Sequence, residues 1–168
     1  MRKTLDLLYM SAAALAALFM IGLLVMVLLS IIGRQLHFNI PGIDAYAGYL
    51  MAGCGFLALA HTLKRAEHIR VTLVMQSLGP AARRWLERWA VSVAALLALL
   101  FATYSVRLVM QSIEYNDIST GNDATPLWIP QLGMAIGAVI FAIAAIDEAV
   151  IEWKGRPLRT NLEAMRHE

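Results

Sequence analysis

Four stretches without a formal charge dominate this chain: Leu7–Ile32 (26 residues), Ala45–Leu63 (19), Trp89–Val106 (18) and Ala124–Ile146 (23). An α-helix needs about 20 mostly apolar residues to cross a hydrocarbon layer about 30 Å thick, and it satisfies its own backbone hydrogen bonds where no water can. Together the stretches take up over half of the 168 residues. What remains lies in pieces too short to bury a core, which excludes a separate nucleotide-binding, extracellular or soluble catalytic domain. Composition agrees, with 60% of residues hydrophobic and only 15% charged, where soluble domains carry about a quarter charged. The expected fold is an all-α integral membrane protein. It forms one domain over residues 1–168, with spans at about 7–32, 44–63, 86–113 and 129–151.

Arg2 and Lys3 precede the first apolar run in the manner of a secretory signal. That run is about twice the length of a signal's apolar region and leads into no polar cleavage region, so it reads as a retained first span. The single cysteine, Cys54, lies among small apolar residues in the second span. It reads as a packing residue, not a reactive thiol.

The basic residues alternate in their distribution. Arg2 and Lys3 lie in the first tail, Lys64, Arg65, Arg70, Arg83, Arg84 and Arg88 between spans two and three, and Lys154, Arg156, Arg159 and Arg166 in the last tail. Against these twelve, the opposite side carries Arg34 alone, with Arg107 left inside the third span. The positive-inside rule places both termini and the Lys64–Arg88 connection in the cytoplasm. Glu114, Asp117 and Asp123 then form an acidic external loop. With a net charge of only +2, no nucleic-acid partner is expected.

Val71, Val74, Met75 and Leu78 recur at i, i+3, i+4 and i+7, which predicts a short amphipathic helix over about 69–78 lying in the membrane interface. Gly79 ends it, and Pro80 is suited to the first position of the next helix. That helix would carry Arg83, Arg84, Trp85, Arg88 and Trp89 through the headgroup layer, where together with Arg70 they anchor the chain. Trp128, between Pro126 and Pro130, marks the corresponding outer entrance to span four.

A chain that couples transport to an ion by itself needs a titratable group inside the bilayer. Asp44 opens span two, and Asp147 and Glu148 close span four, positions where a carboxylate reaches headgroups or water and acts as an anchor. Haem ligation needs histidines facing each other from different spans, and His61 is the lone span histidine. Arg107 shares a helix face with Tyr104, Gln111 and Glu114. Two readings stand open for it: a polar seam against a partner protein, or a helix end that satisfies itself.

Small residues are aligned in three spans. Gly133 and Gly137 form a G-x-x-x-G pair, Gly48, Ala52 and Gly55 line one face of span two, and Ala94, Ala98 and Ala102 one face of span three. Such stripes let helix backbones approach where lipid supplies no hydrophobic drive for association. They serve internal packing or a second membrane protein, so Gly48, Ala52, Gly55, Gly133, Gly137 and Arg107 are candidate subunit-interface residues.

In order along the chain stand Leu29-Ser-Ile-Ile-Gly-Arg34, Ile43-Asp44, Phe56-Leu-Ala-Leu-Ala60, Glu67-His-Ile-Arg-Val71 and Pro126-Leu-Trp-Ile-Pro-Gln131. With four spans in this order, the sequence resembles the small membrane subunit of tripartite ATP-independent periplasmic (TRAP) transporters, the DctQ-like family, from about Leu7 to Trp153. Arg34, Asp44, His68, Arg70, Pro130 and Gln131 are the positions that carry the likeness. The resemblance implies a non-catalytic subunit in a bacterial inner membrane. It would buttress a large membrane subunit that holds the sodium sites and moves an organic acid delivered by a periplasmic binding protein, with no cofactor in this chain. Glu114, Asp117 and Asp123 are candidate docking residues for that periplasmic protein. Two other classes compete: an autonomous small four-helix transporter, disfavoured by the lack of buried titratable groups, and a membrane redox or lipid enzyme, disfavoured by the lack of histidine pairs.

The charge bias makes a topological prediction. After removal of Cys54, a cysteine placed at Asn116 should react with an impermeant thiol reagent from the periplasmic side of intact cells. Reaction only after the inner membrane is permeabilised would reverse the orientation.

Overall fold

In a computed structural model the chain folds into four long helices, described over residues 2–38, 40–64, 79–121 and 123–155. These are α1 (Arg2–Gln35), α2 (Ile43–Lys64), α3 (Pro80–Glu114) and α4 (Trp128–Trp153). All four are long and apolar enough to cross a membrane. The expected interfacial helix at 69–78, with His68 and Arg70, lies outside the described residues.

Local chemistry accounts for the helix ends. Gly33 O accepts from Phe38 N at 3.0 Å and Ile32 O from Leu36 N at 2.9 Å, with His37 at φ +56° closing α1 in a left-handed cap. Pro80 is the first residue of α3, where its missing N–H is no loss. Between α3 and α4 the chain makes a compact hairpin. Ser119 N donates to Thr125 O and Leu127 N to Asp117 O, with an isolated bridge joining Ile118 to Pro126.

The helices form an open row in the order α1, α2, α4, α3. Extensive contact lines join α1 to α2, α2 to α4 and α4 to α3. α1 meets α4 only marginally, and no comparable line joins α1 to α3. The row is held by small residues. On α4, Ala135, Ala138, Ala142 and Ala145 are buried, and the last three cluster with Ala98 and Ala102 of α3. Gly137, on another side of α4, meets α2. A methyl group added there would lie 2.5 Å from the Phe56 carbonyl carbon and 2.8 Å from Leu57 N, so the two backbones touch. One turn earlier, a methyl on Gly133 would lie 3.3 Å from the α-carbon of Gly53, over which the Phe19 ring of α1 lies. The Phe56 and Phe101 rings stack at 5.6 Å between α2 and α3.

The alanine stripe on α3 differs by one step from its sequence assignment. Ala94 is exposed, and the α4-facing line runs through Ala95, Ala98, Ala102, Ser105, Val109 and Ser112. Its spacing of alternate three and four residues follows the seam of two helices that stay in register over many turns. Counting from Ala94 followed only the i, i+4 steps and missed the drift.

The inner helices suit a bilayer and the edge helices exceed it. α2 has 22 residues and α4 has 26, about 33 and 39 Å at 1.5 Å per residue. α1 has 34 and α3 has 35, about 51 and 52 Å, so their ends must tilt or project from the hydrocarbon.

Gly137→Leu should destabilise the isolated chain by about 3 kcal/mol or more, because the added atoms must push the α2 and α4 backbones apart. Gly48→Leu, where an added methyl meets nothing within 4 Å, should change stability by no more than about 0.5 kcal/mol. Thermal unfolding of both variants in detergent checks the contrast, and equal midpoints would remove the α2–α4 contact from the account.

Candidate subunit interface

Each end of the row carries a polar cluster that ties helices together. At one end Lys64, the last residue of α2, donates to Glu148 at 2.9 Å and to Asp147, both on α4, and its ammonium lies 5.5 Å from the centre of the Tyr9 ring on α1. Three helices thus meet at one cation, whose side chain is 16% exposed. Asp147 and Glu148, read from the sequence as structural anchors, bind Lys64. The sequence offered a signal in the lone lysine closing span two opposite two carboxylates closing span four, but the α2–α4 adjacency that uses it is not local.

At the opposite end the hairpin is pinned to the start of α2. Tyr49 Oη donates to Asp123 Oδ2 at 3.0 Å, and Ser119 Oγ donates to Asp123 Oδ1 at 2.8 Å. Thr125 Oγ1 donates to Tyr46 Oη at 3.2 Å. The neighbouring hydroxyls, that of Thr125 first and then those of Ser119 and Tyr49, hold the Asp123 carboxyl below the usual range, so it is ionised at neutral pH. Gly42, at φ +78°, lets the loop close against it: a methyl there would lie 2.5 Å from the Asp123 β-carbon. Asp123 is therefore engaged within the chain. Glu114 and Asp117 remain exposed. Asp44 accepts from Ser30 Oγ at 3.1 Å, joining the end of α1 to the start of α2 beside the exposed Arg34.

The candidate interface residues separate into used and unused. Gly133 and Gly137 are occupied by α2. Gly48, Ala52 and Gly55 are exposed, and no atom lies within 4 Å of a methyl added to either glycine. This leaves a strip of small residues open along α2. Gly53, which carries the internal contact on that helix, escaped sequence reading because the neighbouring stripe drew attention to the other face.

Arg107 is exposed and lines a cleft of about 490 Å³ between α3 and α4 with Phe101, Tyr104, Leu108, Gln111 and Met134. Among the described residues no carboxylate pairs with it, Glu114 included. At the start of α4, Pro130 is half-buried and the buried Gln131 Oε1 has no hydrogen-bond partner among the described residues. Trp128 and Trp85, Trp89 and Trp153 present exposed indoles at the two ends. No group of three or more histidine, cysteine or acidic side chains placed to hold a metal occurs among the described residues, and Cys54 is a buried free thiol.

A family model described as "Tripartite ATP-independent periplasmic transporters, DctQ component" matches residues 23–155. The chain belongs to the DctQ family. It is thus a small component of a TRAP transporter, a family of transporter components that work with a large membrane subunit and a periplasmic binding protein. Searches of curated proteins and of solved structures give no match. The matched region of this DctQ chain includes the open strip on α2, the Arg107 cleft and Lys64 with its two carboxylate partners.

Gly55→Leu and Arg107→Leu should leave the melting midpoint of the isolated chain unchanged, since neither position is used internally. Each should lower co-purification with the large subunit at least about tenfold if that position lies in the contact. Undiminished co-purification of both variants would place these faces against lipid.

Proposed function

We propose that this chain is the non-transporting scaffold of its TRAP system. It sets the depth and tilt of the large subunit in a bacterial inner membrane, while that subunit carries out sodium-coupled uptake of an organic acid delivered by the periplasmic protein. The observation that carries the reading is the open row of helices. A solute carrier needs a midplane site enclosed between repeats, with unwound backbone or buried polar groups replacing the hydration shell. The four helices run unbroken, and among the described residues the polar clusters that join them lie at their ends.

A row also leaves two broad apolar faces uncovered. Lipid is one cover and a second membrane protein the other, and two features favour protein over some of the surface: the small-residue strip of α2, and Arg107, which has no ion-pair partner among the described residues. Arg107 follows directly on the charge-free stretch of α3, where its side chain reaches the headgroup layer, and an acceptor on a partner there would add a charge-assisted hydrogen bond.

In this reading both termini are cytoplasmic and the hairpin at 115–127 faces the periplasm. Asp123 fastens that hairpin to α2, and Glu114 and Asp117 are the free charges that would steer the periplasmic protein through encounter rate and salt dependence. Sodium and solute belong to the large subunit, and this chain needs no cofactor of its own.

Liposomes with a sodium gradient and the periplasmic protein should take up solute when both membrane subunits are present, and not with this chain alone. Uptake by this chain alone would overturn the scaffold reading. Full-rate uptake by the large subunit without it would show the support to be dispensable.

A further inference from the structure

At the end of the row that carries Lys64, the first turns of α3 and the last residue of α4 enclose a second cleft, of about 590 Å³, lined by Arg84, Trp85, Arg88, Trp89, Ser92 and Trp153. Its depth in the bilayer follows from the sequence. The charge-free stretch of α3 starts at Trp89, so Arg88 and Arg84 sit at the hydrocarbon boundary and one turn outside it.

The cleft is built around Arg88. Its guanidinium lies 5.6 Å from the centre of the Trp153 ring, and that indole is fixed by a hydrogen bond of 3.0 Å from its Nε1 to Ser92 Oγ. Ser92 in turn donates to the Arg88 carbonyl at 2.8 Å. Arg88 is thus a braced, half-buried cation. Yet its Nε is shielded from solvent with no hydrogen-bond acceptor, and among the described residues no carboxylate lies within ion-pair distance of it. Arg83, one helical face away, differs: it is exposed and its Nε donates to Glu87 Oε1 at 3.1 Å. A shielded charged donor without an acceptor is costly enough that a partner is expected.

A ligand for the Arg88 guanidinium in this cleft would be anionic, offer oxygens to its planar fork, and fit a site walled by indoles. Trp85, Trp89 and Trp153 are 68%, 55% and 60% exposed, and a free anion would leave their rings bare. We propose that this cleft is a binding site for an anionic glycerophospholipid, its phosphate held by Arg88 with Arg84 adding positive charge at the mouth, and its acyl chains lying along Trp89 into the hydrocarbon. Arginine is suited to phosphate because its fork donates two parallel hydrogen bonds, and indoles settle at the headgroup level. The site requires only that the start of α3 lie in a headgroup layer. It does not depend on the scaffold role, and its failure would leave that role standing.

The test uses the full chain in a neutral detergent, titrated with phosphatidylglycerol and read by native mass spectrometry. One phosphatidylglycerol should survive the activation that strips the others, and Arg88→Gln should lower its occupancy at least about tenfold, as expected for a charge-assisted hydrogen bond. Arg83→Gln should leave it unchanged. Equal losses in the two variants would reduce the site to diffuse surface charge and overturn the proposal. Displacement of the lipid by millimolar inorganic phosphate would identify a soluble-anion site and overturn it as well. A second readout stands apart from the folding of the Arg88 variant. In a Trp128→Phe chain placed in phosphatidylcholine, a small mole fraction of brominated phosphatidylglycerol should quench the remaining tryptophans far beyond its share of the lipid. Quenching in simple proportion to that share would overturn the proposal.

Discussion

The contact of Gly137 with the backbone of Phe56 and Leu57 is the constraint on which the rest of the structure depends. In hydrocarbon an apolar side chain gains nothing by leaving lipid for protein, so helices associate by close packing and by the few polar bonds they share. α4 is small on two sides. Its glycine side admits α2 at backbone distance, and its alanine side admits α3 through Ala98 and Ala102. With α4 sandwiched in this way, α1 can pack only on the remaining side of α2, and the row follows.

Polar clusters close the row at its two ends by different chemistry. At one end a single lysine serves two carboxylates and an aromatic face, collecting α1, α2 and α4 around one charge. At the other, hydroxyls from α2 and the hairpin converge on Asp123, which fixes a loop to a helix without using any cation. Both lie where water or headgroups lower the cost of charge. Between them the helices hold together on packing alone, which explains why the buried residues of the interior are so largely alanine, glycine and serine.

The same geometry explains the functional reading. A row one helix thick is poor at enclosing a solute and good at presenting area. Much of α1 and the outward sides of α2 and α3 are covered by large apolar residues such as Leu18, Leu24, Met51, Leu96 and Leu97, which only lipid or another membrane protein can cover. Membership of the DctQ family supplies the context in which that area has a use.

Four spans, their boundaries near Gly33, Ile43, Pro80 and Trp128, and membership of the family could all be read from the sequence, because length, hydropathy, capping residues and proline act locally. The small-residue stripes were also visible, but not their assignments. Gly133 and Gly137 proved internal, Gly48 and Gly55 open, Ala94 exposed and Gly53 the buried contact, since a stripe shows that a helix can be approached and not which helix approaches it. Likewise Lys64, Asp147, Glu148 and Asp123 could be listed as interfacial charges, while their pairing across 74 to 84 residues of chain required the order α1, α2, α4, α3. That order is a property of the assembled helices: in lipid each span is stable by its own backbone hydrogen bonds, so what crosses the membrane is set by each segment, and which segments meet is set only when their surfaces pack.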